Sequence, residues 1–574
     1  MKLLFKYLRP YSKRMAVGFT IKVLGTIVEL FLPLILTHIL GVVVLRKSVP
    51  QILIWGALMV ICALSACVMN IIANRMAAKV SRNFSEHIRR DLFASTLRLS
   101  ASQTDKFTIP SLESRITSDT YNVHNFVGMM QRMGVRAPIL LIGGIGITLI
   151  IDTYLSLAML AILPFIFITV YFISGKGVPL YTKVQRSVDK MVRVVREDVQ
   201  GIRVIKALSK TETEHKRFNE VNSSLVKDET RAGVIMGTVN PVLTMLMNFG
   251  IVAVIALSAN RVAVGRSTPE TVIAFMQYFT QISMAMMTVT RMFVMYTKSA
   301  ASAARISEVL ETNSEIKTES EELYPIKYTE NHIEINNVSF SYLGKKNDIE
   351  NIDLKIKKGD RIGIIGATGS GKSTIIRMLL RFYDVNEGEI LIGGRNIKTI
   401  IPEEFYSKFG VAMQYDFLYA DTIEENIKLG RDISREDVER AAKIAQAHDF
   451  ITAFPDGYGH ILSQKGTNIS GGQKQRLLIA RAIAAKPEIL ILDDSSSALD
   501  YKTDAMLRRA LSDKLSDTTV ITVAQRVSSV MSCNTILVLD EGKIIGMGTH
   551  SELLESCTHY REISNSQVGG AFVE

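Results

Sequence analysis

Apolar residues crowd the first half of the chain in long runs, whereas after about residue 330 they shorten into strand-like alternations broken by glycine and aspartate. The hydrocarbon core of a bilayer is about 30 Å thick and takes about 20 helical residues to cross. Runs of that length lie near residues 16 to 43, 51 to 74, 128 to 151, 153 to 174, 233 to 259 and 271 to 297, which predicts six spans. Buried helices of a soluble protein are the rival reading, but too many runs are this long and too few are interrupted by polar faces.

An even number of spans returns both termini to one side, and lysine and arginine should mark that side as cytoplasmic. Residues 74 to 125 carry 8 of them and residues 176 to 232 carry 13, whereas the opposite loops share only Arg46, Lys47, Arg261 and Arg266. The expectation is a multi-pass protein of the cytoplasmic membrane, seated in the lipid bilayer, with its N-terminus and second half in the cytoplasm. The start, MKLLFKYLRPYSKR, lacks the uninterrupted apolar core of a cleavable signal and reads as an amphipathic interfacial helix. Lys22, Glu29, Arg132, Arg136 and Arg291 are costly in lipid, so they should face the bundle interior, water or headgroups. They could line a pathway, or simply pair and snorkel.

Charge and cysteine change this picture little. The balance of 67 basic against 56 acidic residues gives +11, and much of the excess sits in the cytoplasmic loops. No basic stripe is interleaved with aromatics, so nucleic acid is not an expected partner. Cys62, Cys67, Cys533 and Cys557 have no CxxC spacing and predict neither a disulfide framework nor a zinc site. At 574 residues the chain exceeds what one core organises.

The second half carries the chemistry. HIEINNVSFSY alternates as a strand, IDLKIKKGDRIGIIG supplies a second, and GATGSGKST follows. Gly366, Ala367, Thr368, Gly369, Ser370, Gly371, Lys372 and Ser373, with Thr374 next, fit G-x-x-x-x-G-K-[ST] between a strand and a helix. The glycines let backbone N–H groups wrap phosphates at a helix N-terminus. Lys372 would reach the β and γ phosphates, and Ser373 would hold Mg²⁺. Downstream, the buried strand ILILDD ends in Asp493, which can hold the same metal through water or Ser373, and in Asp494. Between these lies NISGGQKQR, in which Ile469, Ser470, Gly471, Gly472 and Gln473 open a second helix as another anion site. One chain thus offers two phosphate-binding helix starts. Either it binds two phosphates or each site is assembled from two chains.

With these motifs together, the sequence resembles the ATP-binding cassette (ABC) exporters that fuse six spans to one nucleotide-binding domain. The resemblance covers nearly the whole chain. It implies a helical transmembrane six-helix domain (residues 1–312), a linker (313–330) and an α/β P-loop nucleotide-binding domain with an antiparallel β part and a helical subdomain (331–574). It implies ATP and Mg²⁺ as ligands, ATP hydrolysis coupled to export, and two cassettes paired head to tail, so that the signature Ile469–Gln473 acts on the partner's nucleotide. Residue by residue it places Tyr342 on the adenine, Gln414 beside magnesium and the attacking water, and Asp500 in communication between the two sites. SQKG (463–466) resembles the crossing loop before the signature, with Gln464 where an acidic residue is common. IPSLESRITSD (109–119) and GIRVIKALSKTETE (201–214) resemble the cytoplasmic loops that dock on the cassettes.

Two positions depart from the family pattern: Asp494 stands where glutamate is usual and Gln525 where histidine is usual. Both would serve hydrolysis in the same composite site, while the P-loop and signature remain complete. The pattern predicts a heterodimer in which this chain's own site holds ATP but turns it over weakly. Its signature would then complete a competent site on a second, different half-transporter carrying the catalytic Glu and His. A slow homodimer, and a nucleotide-gated channel or regulatory protein on the same scaffold, are the alternatives. Met276, Met284, Met286, Met287, Met292 and Met295 in the sixth run suit either an adaptable surface for a hydrophobic, multidrug-type or lipid substrate or adaptable helix packing.

Overall fold

The computed structural model describes residues 2–264, 268–313, 315–342, 344, 346–414, 417–495 and 497–568. Arg266 of the sequence reading lies outside them. The chain folds into two compact units, one of residues 1–98 and 108–312, the other of residues 99–107 and 313–574.

The first unit is helical. Its elements are α1 (Lys2–Leu8), α2 (Ser12–His38) and α3 (Val49–Thr96); then, after α4 (Ala101–Phe107) of the second unit, α5 (Ile109–Ser114), α6 (Thr120–Ile151), α7 (Thr153–Gln200) and α8 (Ile202–Ala207). The series closes with α9 (Thr211–Gly237), α10 (Val239–Ala263) and α11 (Pro269–Glu311). Five helical stretches among the described residues are long and apolar enough to cross a membrane: Leu4–Val43, Val49–Thr96, Ile109–Ile151, Thr211–Ala263 and Pro269–Val289. Thr153–Thr169 is a shorter apolar stretch that opens the predicted fourth span. Helices α3 and α7 have 48 residues each; at 1.5 Å per residue each runs about 70 Å, more than twice the hydrocarbon thickness.

Local chemistry explains the tight connection at residue 152. Asp152 is extended (φ −155°), and its carboxylate accepts from the backbone N–H of Tyr154 and Leu155, capping α7. The same carboxylate accepts from Arg261 Nε at 3.0 Å. The unit's core joins Leu30, Leu140, Leu155, Tyr278, Phe279 and Ile282, and the Tyr278 hydroxyl donates to the Leu30 carbonyl at 2.6 Å.

Three of the charges in the apolar runs, Lys22, Arg132 and Arg136, have partners within the unit. Lys22 is only 4% exposed, and its ammonium donates to Asn70 Oδ1 (2.7 Å) and Asn74 Oδ1 (3.1 Å). Arg136 pairs bidentately with Glu29 at 2.5 and 3.2 Å, and Arg132 Nε donates to the Gly128 carbonyl. The methionines of α11 divide: Met286 and Met287 pack beside Ile166 and Leu243. Met292 lines an apolar hollow of about 570 Å³ with Met15, Met130 and Tyr296.

The second unit holds two sheets. An antiparallel one has order β2-β1-β4-β5, from β1 (Asn331–Phe340), β2 (Ile349–Lys357), β4 (Glu387–Ile392) and β5 (Arg395–Asn396). The other has order β10-β9-β3-β8-β7-β6, from β3 (Arg361–Gly366), β6 (Phe409–Ala412), β7 (Ile489–Asp493), β8 (Thr519–Val523), β9 (Thr535–Asp540) and β10 (Lys543–Gly548). Strands β9, β3, β8, β7 and β6 run parallel. In chain order the helices are α12 (Lys372–Leu379), α13 (Pro402–Ser407), α14 (Ile423–Lys428), α15 (Arg435–Ile444), α16 (His448–Thr452), α17 (Gly471–Ala484), α18 (Tyr501–Lys514), α19 (Val527–Val530), α20 (His550–Ser556) and α21 (Thr558–Val568). Strand β7 is buried throughout, as a central parallel strand covered on both faces must be. Each of its four aliphatic side chains contributes about 1.5–3 kcal/mol.

Helix α4 belongs to the second unit, whereas the adjacent stretch 109–119, which the sequence reading assigned to docking, belongs to the first. Ser100 and Gln103 form a reciprocal cap at its start: Ser100 Oγ accepts from the Gln103 N–H (3.2 Å) and Gln103 Oε1 from the Ser100 N–H (3.0 Å). Gln103 Nε2 also donates to the Asn313 carbonyl at 2.7 Å. By contrast Leu112 and Arg115 are buried, and both belong to the first unit. Helix α8, in the second predicted loop, has no buried residue and exposes Ile202, Val204 and Leu208.

Candidate functional site

Four adjacent parallel strands end at one edge of the larger sheet, and each delivers a part of the site there. Strand β3 runs into the loop Gly366–Gly371, β8 into Ala524 and Gln525, β7 into Asp493 and Asp494, and β6 into Gln414. The carboxyl ends of parallel strands are where open α/β sheets bind ligands. A hollow of about 210 Å³ lies there, lined by Thr368, Lys372, Ser373, Gln414, Asp493 and Gln525 among others. Sequence neighbours thus account for each part, while strand order brings them together.

The loop before α12 is shaped as a cradle. Gly369 and Gly371 take left-handed conformations (φ +86° and +100°), and a Cβ on Gly371 would lie 2.6 Å from Ile349. Lys372 Nζ donates to the carbonyls of Gly366 (2.8 Å) and Ala367 (2.7 Å), so its ammonium lies over the loop. Burial holds its pKa below the usual lysine range, against the pull of Asp494 and Asp493. The Ser370 hydroxyl is buried with no hydrogen-bond partner among the described residues. A cradle with a cation, a helix N-terminus and an unpartnered hydroxyl fits a polyphosphate. Ser373 Oγ donates to Asp493 Oδ1 at 3.3 Å. One hydroxyl beside one carboxylate suits a magnesium ion that keeps waters and phosphate oxygens as its other ligands. Among the described residues no cluster of three or more His, Cys, Asp or Glu offers a fuller metal cage.

Asp494 follows the last residue of β7 in the left-handed region (φ +49°), which short polar side chains tolerate best. Its Oδ2 accepts from two neutral carboxamides, Gln525 Nε2 at 3.0 Å and Gln414 Nε2 at 3.1 Å. Burial pushes the carboxyl above its ordinary range, opposed by Lys372 and these two donors; Asp493 is raised as well, again by burial first. The structure therefore brings together Asp493, Asp494, Gln414 and Gln525 with the P-loop.

Gln567 escaped the sequence reading. Its Nε2 donates to the Gln525 carbonyl and its Oε1 accepts from the Val527 N–H, both at 2.8 Å, so α21 clamps the backbone on either side of Arg526. A glutamine near a chain end carries no sequence signal for such a role.

The signature residues Ile469–Gln473 are not among those that line this hollow. Ser470 and Gln473 form a capping box at the start of α17, with Ser470 Oγ accepting from the Gln473 N–H. The two glycines differ. A Cβ on Gly472 would lie 3.2 Å from the Ala498 carbonyl, whereas one on Gly471 would meet nothing within 4 Å. Ile469 packs partly against the helical core. Asp500 caps α18 through Thr503, and Tyr342 stands over α12 with its hydroxyl 3.2 Å from Arg377 Nη1.

Comparison with known proteins agrees with this architecture. Residues 15–286 match the model for the ABC transporter transmembrane region, and residues 349–497 match that for the ABC transporter. The chain is 34% identical to the uncharacterized ABC transporter ATP-binding protein YfiB of Bacillus subtilis, over 98% of either chain. This chain belongs to the ABC transporter family. A further relative, the uncharacterized ABC transporter ATP-binding protein Rv1273c of Mycobacterium tuberculosis, is 30% identical over 100% of this chain and 99% of its own. The solved structure of a bacterial Atm1-family ABC exporter with ATP bound superposes with a TM-score of 0.81 at 23% identity, covering 98% of this chain and 99% of that one. The transporter thus has the exporter half-transporter fold, a helical transmembrane part followed by an α/β cassette with an antiparallel sheet. ATP binding, transport driven by it, and dimer formation in a membrane follow from the family.

Proposed function

We propose that this chain is one subunit of a heterodimeric exporter of the cytoplasmic membrane, holding Mg²⁺–ATP in its own Walker site with little hydrolysis. Its signature serves the competent site of a different subunit. The observation that carries the reading is the carboxylate of Asp494, one methylene shorter than a glutamate and held by two neutral carboxamides, beside a complete phosphate cradle. Phosphoryl transfer rests on placing a water and its base. A misplacement of about 1 Å costs on the order of 10²-fold, and Gln525 cannot carry the charge of an imidazolium. Binding needs Lys372, Ser373 and the loop N–H groups, all of which are present. The Met292 hollow favours a hydrophobic substrate.

The purified chain alone is expected to show weak ATPase activity. Reconstituted with a distinct half-transporter bearing Glu and His at the matching positions, it should gain about tenfold or more, well within the catalytic loss assigned to a misplaced base. Robust turnover by the chain alone would refute the heterodimer.

A further inference from the structure

Tyr342, the residue read as the adenine platform, is held edge-on by a second tyrosine that no motif covers. The rings of Tyr342 and Tyr383 lie 5.1 Å apart at 90°, and Phe340 meets Tyr342 edge-on at 4.8 Å. Edge-to-face pairs of this kind fix ring orientation and contribute about 0.5–1.5 kcal/mol beyond burial. Tyr383 is anchored in turn: its hydroxyl donates to Asp105 Oδ2 at 2.5 Å. Asp105 lies on α4, whose start is tied to Asn313 through Gln103. Both α4 and the aromatic cluster belong to the second unit, although α4 is flanked in the chain by helices of the first. Asp105 is exposed, so a carboxylate held there by one tyrosine is not needed for a core.

We propose that Tyr383 is a positioning residue for recognition of the nucleotide base, and that Asp105 acts through it, so that the α4 segment Ala101–Phe107 responds to the base and not to the phosphates. The inference rests on the reading of Tyr342 as the base platform. A ring stacked on Tyr342 restrains it, Tyr342 restrains Tyr383, and the hydroxyl of Tyr383 carries that restraint to α4. The phosphate loop reaches this path only at the Tyr342 hydroxyl, through a 3.4 Å contact with Thr374 Oγ1, and not at the ring face or at Tyr383.

The test uses the full-length chain in lipid nanodiscs with two probes, Mg²⁺–ATP and Mg²⁺–tripolyphosphate, which lacks the base. Tyr383→Phe keeps the ring and removes only the hydroxyl, and Asp105→Ala alters an exposed side chain, so both variants should fold. Each is expected to weaken ATP binding by about three- to tenfold, the size of one hydrogen bond's contribution. Tripolyphosphate binding should stay within about twofold, a change below that contribution. The double variant should be no weaker than either single one, because both act on one path. Amide exchange in residues 101–107 should slow on ATP addition, should not slow with tripolyphosphate, and should lose its response in Tyr383→Phe. Equal loss for both probes, additive effects in the double variant, or unchanged ATP protection in Tyr383→Phe would each overturn the proposal. Tyr342→Ala separates the failures. If it leaves the ATP to tripolyphosphate affinity ratio unchanged, the platform reading falls and takes the proposal with it; if it lowers the ratio while Tyr383→Phe does not, only the role of Tyr383 falls.

Discussion

Gly471→Asp, co-expressed with a wild-type partner subunit, is expected to lower steady-state ATPase of the complex by about 10²-fold or more, the penalty of spoiling a positioned phosphoryl site. A Cβ at Gly471 meets nothing within 4 Å among the described residues, so the variant should fold and assemble. What it harms is whatever approaches from outside. At the first residue of α17 that visitor would be the partner's nucleotide, and a carboxylate there repels phosphate while blocking its approach to the helix N–H groups. Asp494→Ala should cost only about two- to threefold, the outcome expected of the proposed weak site, in which this carboxylate is one methylene short of a base. Lys372→Ala should reduce nucleotide retention in this chain's own site and affect turnover only indirectly. Measuring ATPase and retention for the three variants decides the matter: if Asp494→Ala abolishes turnover as fully as Gly471→Asp, Asp494 is a working base and the asymmetric reading is wrong.

The second large effect runs in the opposite direction. Asp494→Glu together with Gln525→His should raise ATPase of the purified chain by about 10²-fold, recovering what a base displaced by one methylene forfeits. The carboxyl would reach further from the same backbone, and an imidazole would stand where Gln525 Nε2 now lies 3.0 Å from Asp494 Oδ2. Each single change should recover much less, since two groups acting on one water are not additive. The left-handed backbone at residue 494 suits aspartate better than glutamate, so the restored variant should also be slightly less stable. A double variant that binds ATP as tightly as the wild type and stays inactive would mean that these two positions do not limit hydrolysis.

Much of this molecule is legible as a string because its decisive signals are local. Apolar run length is set by bilayer thickness, the P-loop needs its glycines, lysine and serine contiguous, and the signature carries its own capping residues, Ser470 and Gln473. The resemblance of the motifs was enough to name Tyr342, Gln414 and Asp500 as candidates. That residues 99–107 cluster with the second unit was not legible in the string. The Ser100-x-x-Gln103 cap at the start of α4 was not singled out in the sequence, because a short polar cap of this kind names no tertiary partner.

What sequence by itself determined was therefore the class of each segment: spans where lipid demands about 20 apolar residues, a phosphate loop, a strand ending in two acids, and the shortening of one carboxylate. Only the tertiary structure decided which of these meet. Strand order, not chain order, sets β3, β8, β7 and β6 side by side, so residues as far apart as Gln414, Asp494 and Gln525 share hydrogen bonds. The clamp of Gln567 on the Gln525 loop and the bond from Tyr383 to Asp105 belong to the same class. Each joins residues distant in the chain through side chains of ordinary type, and such contacts leave no periodic or motif signal because their specificity resides in position alone.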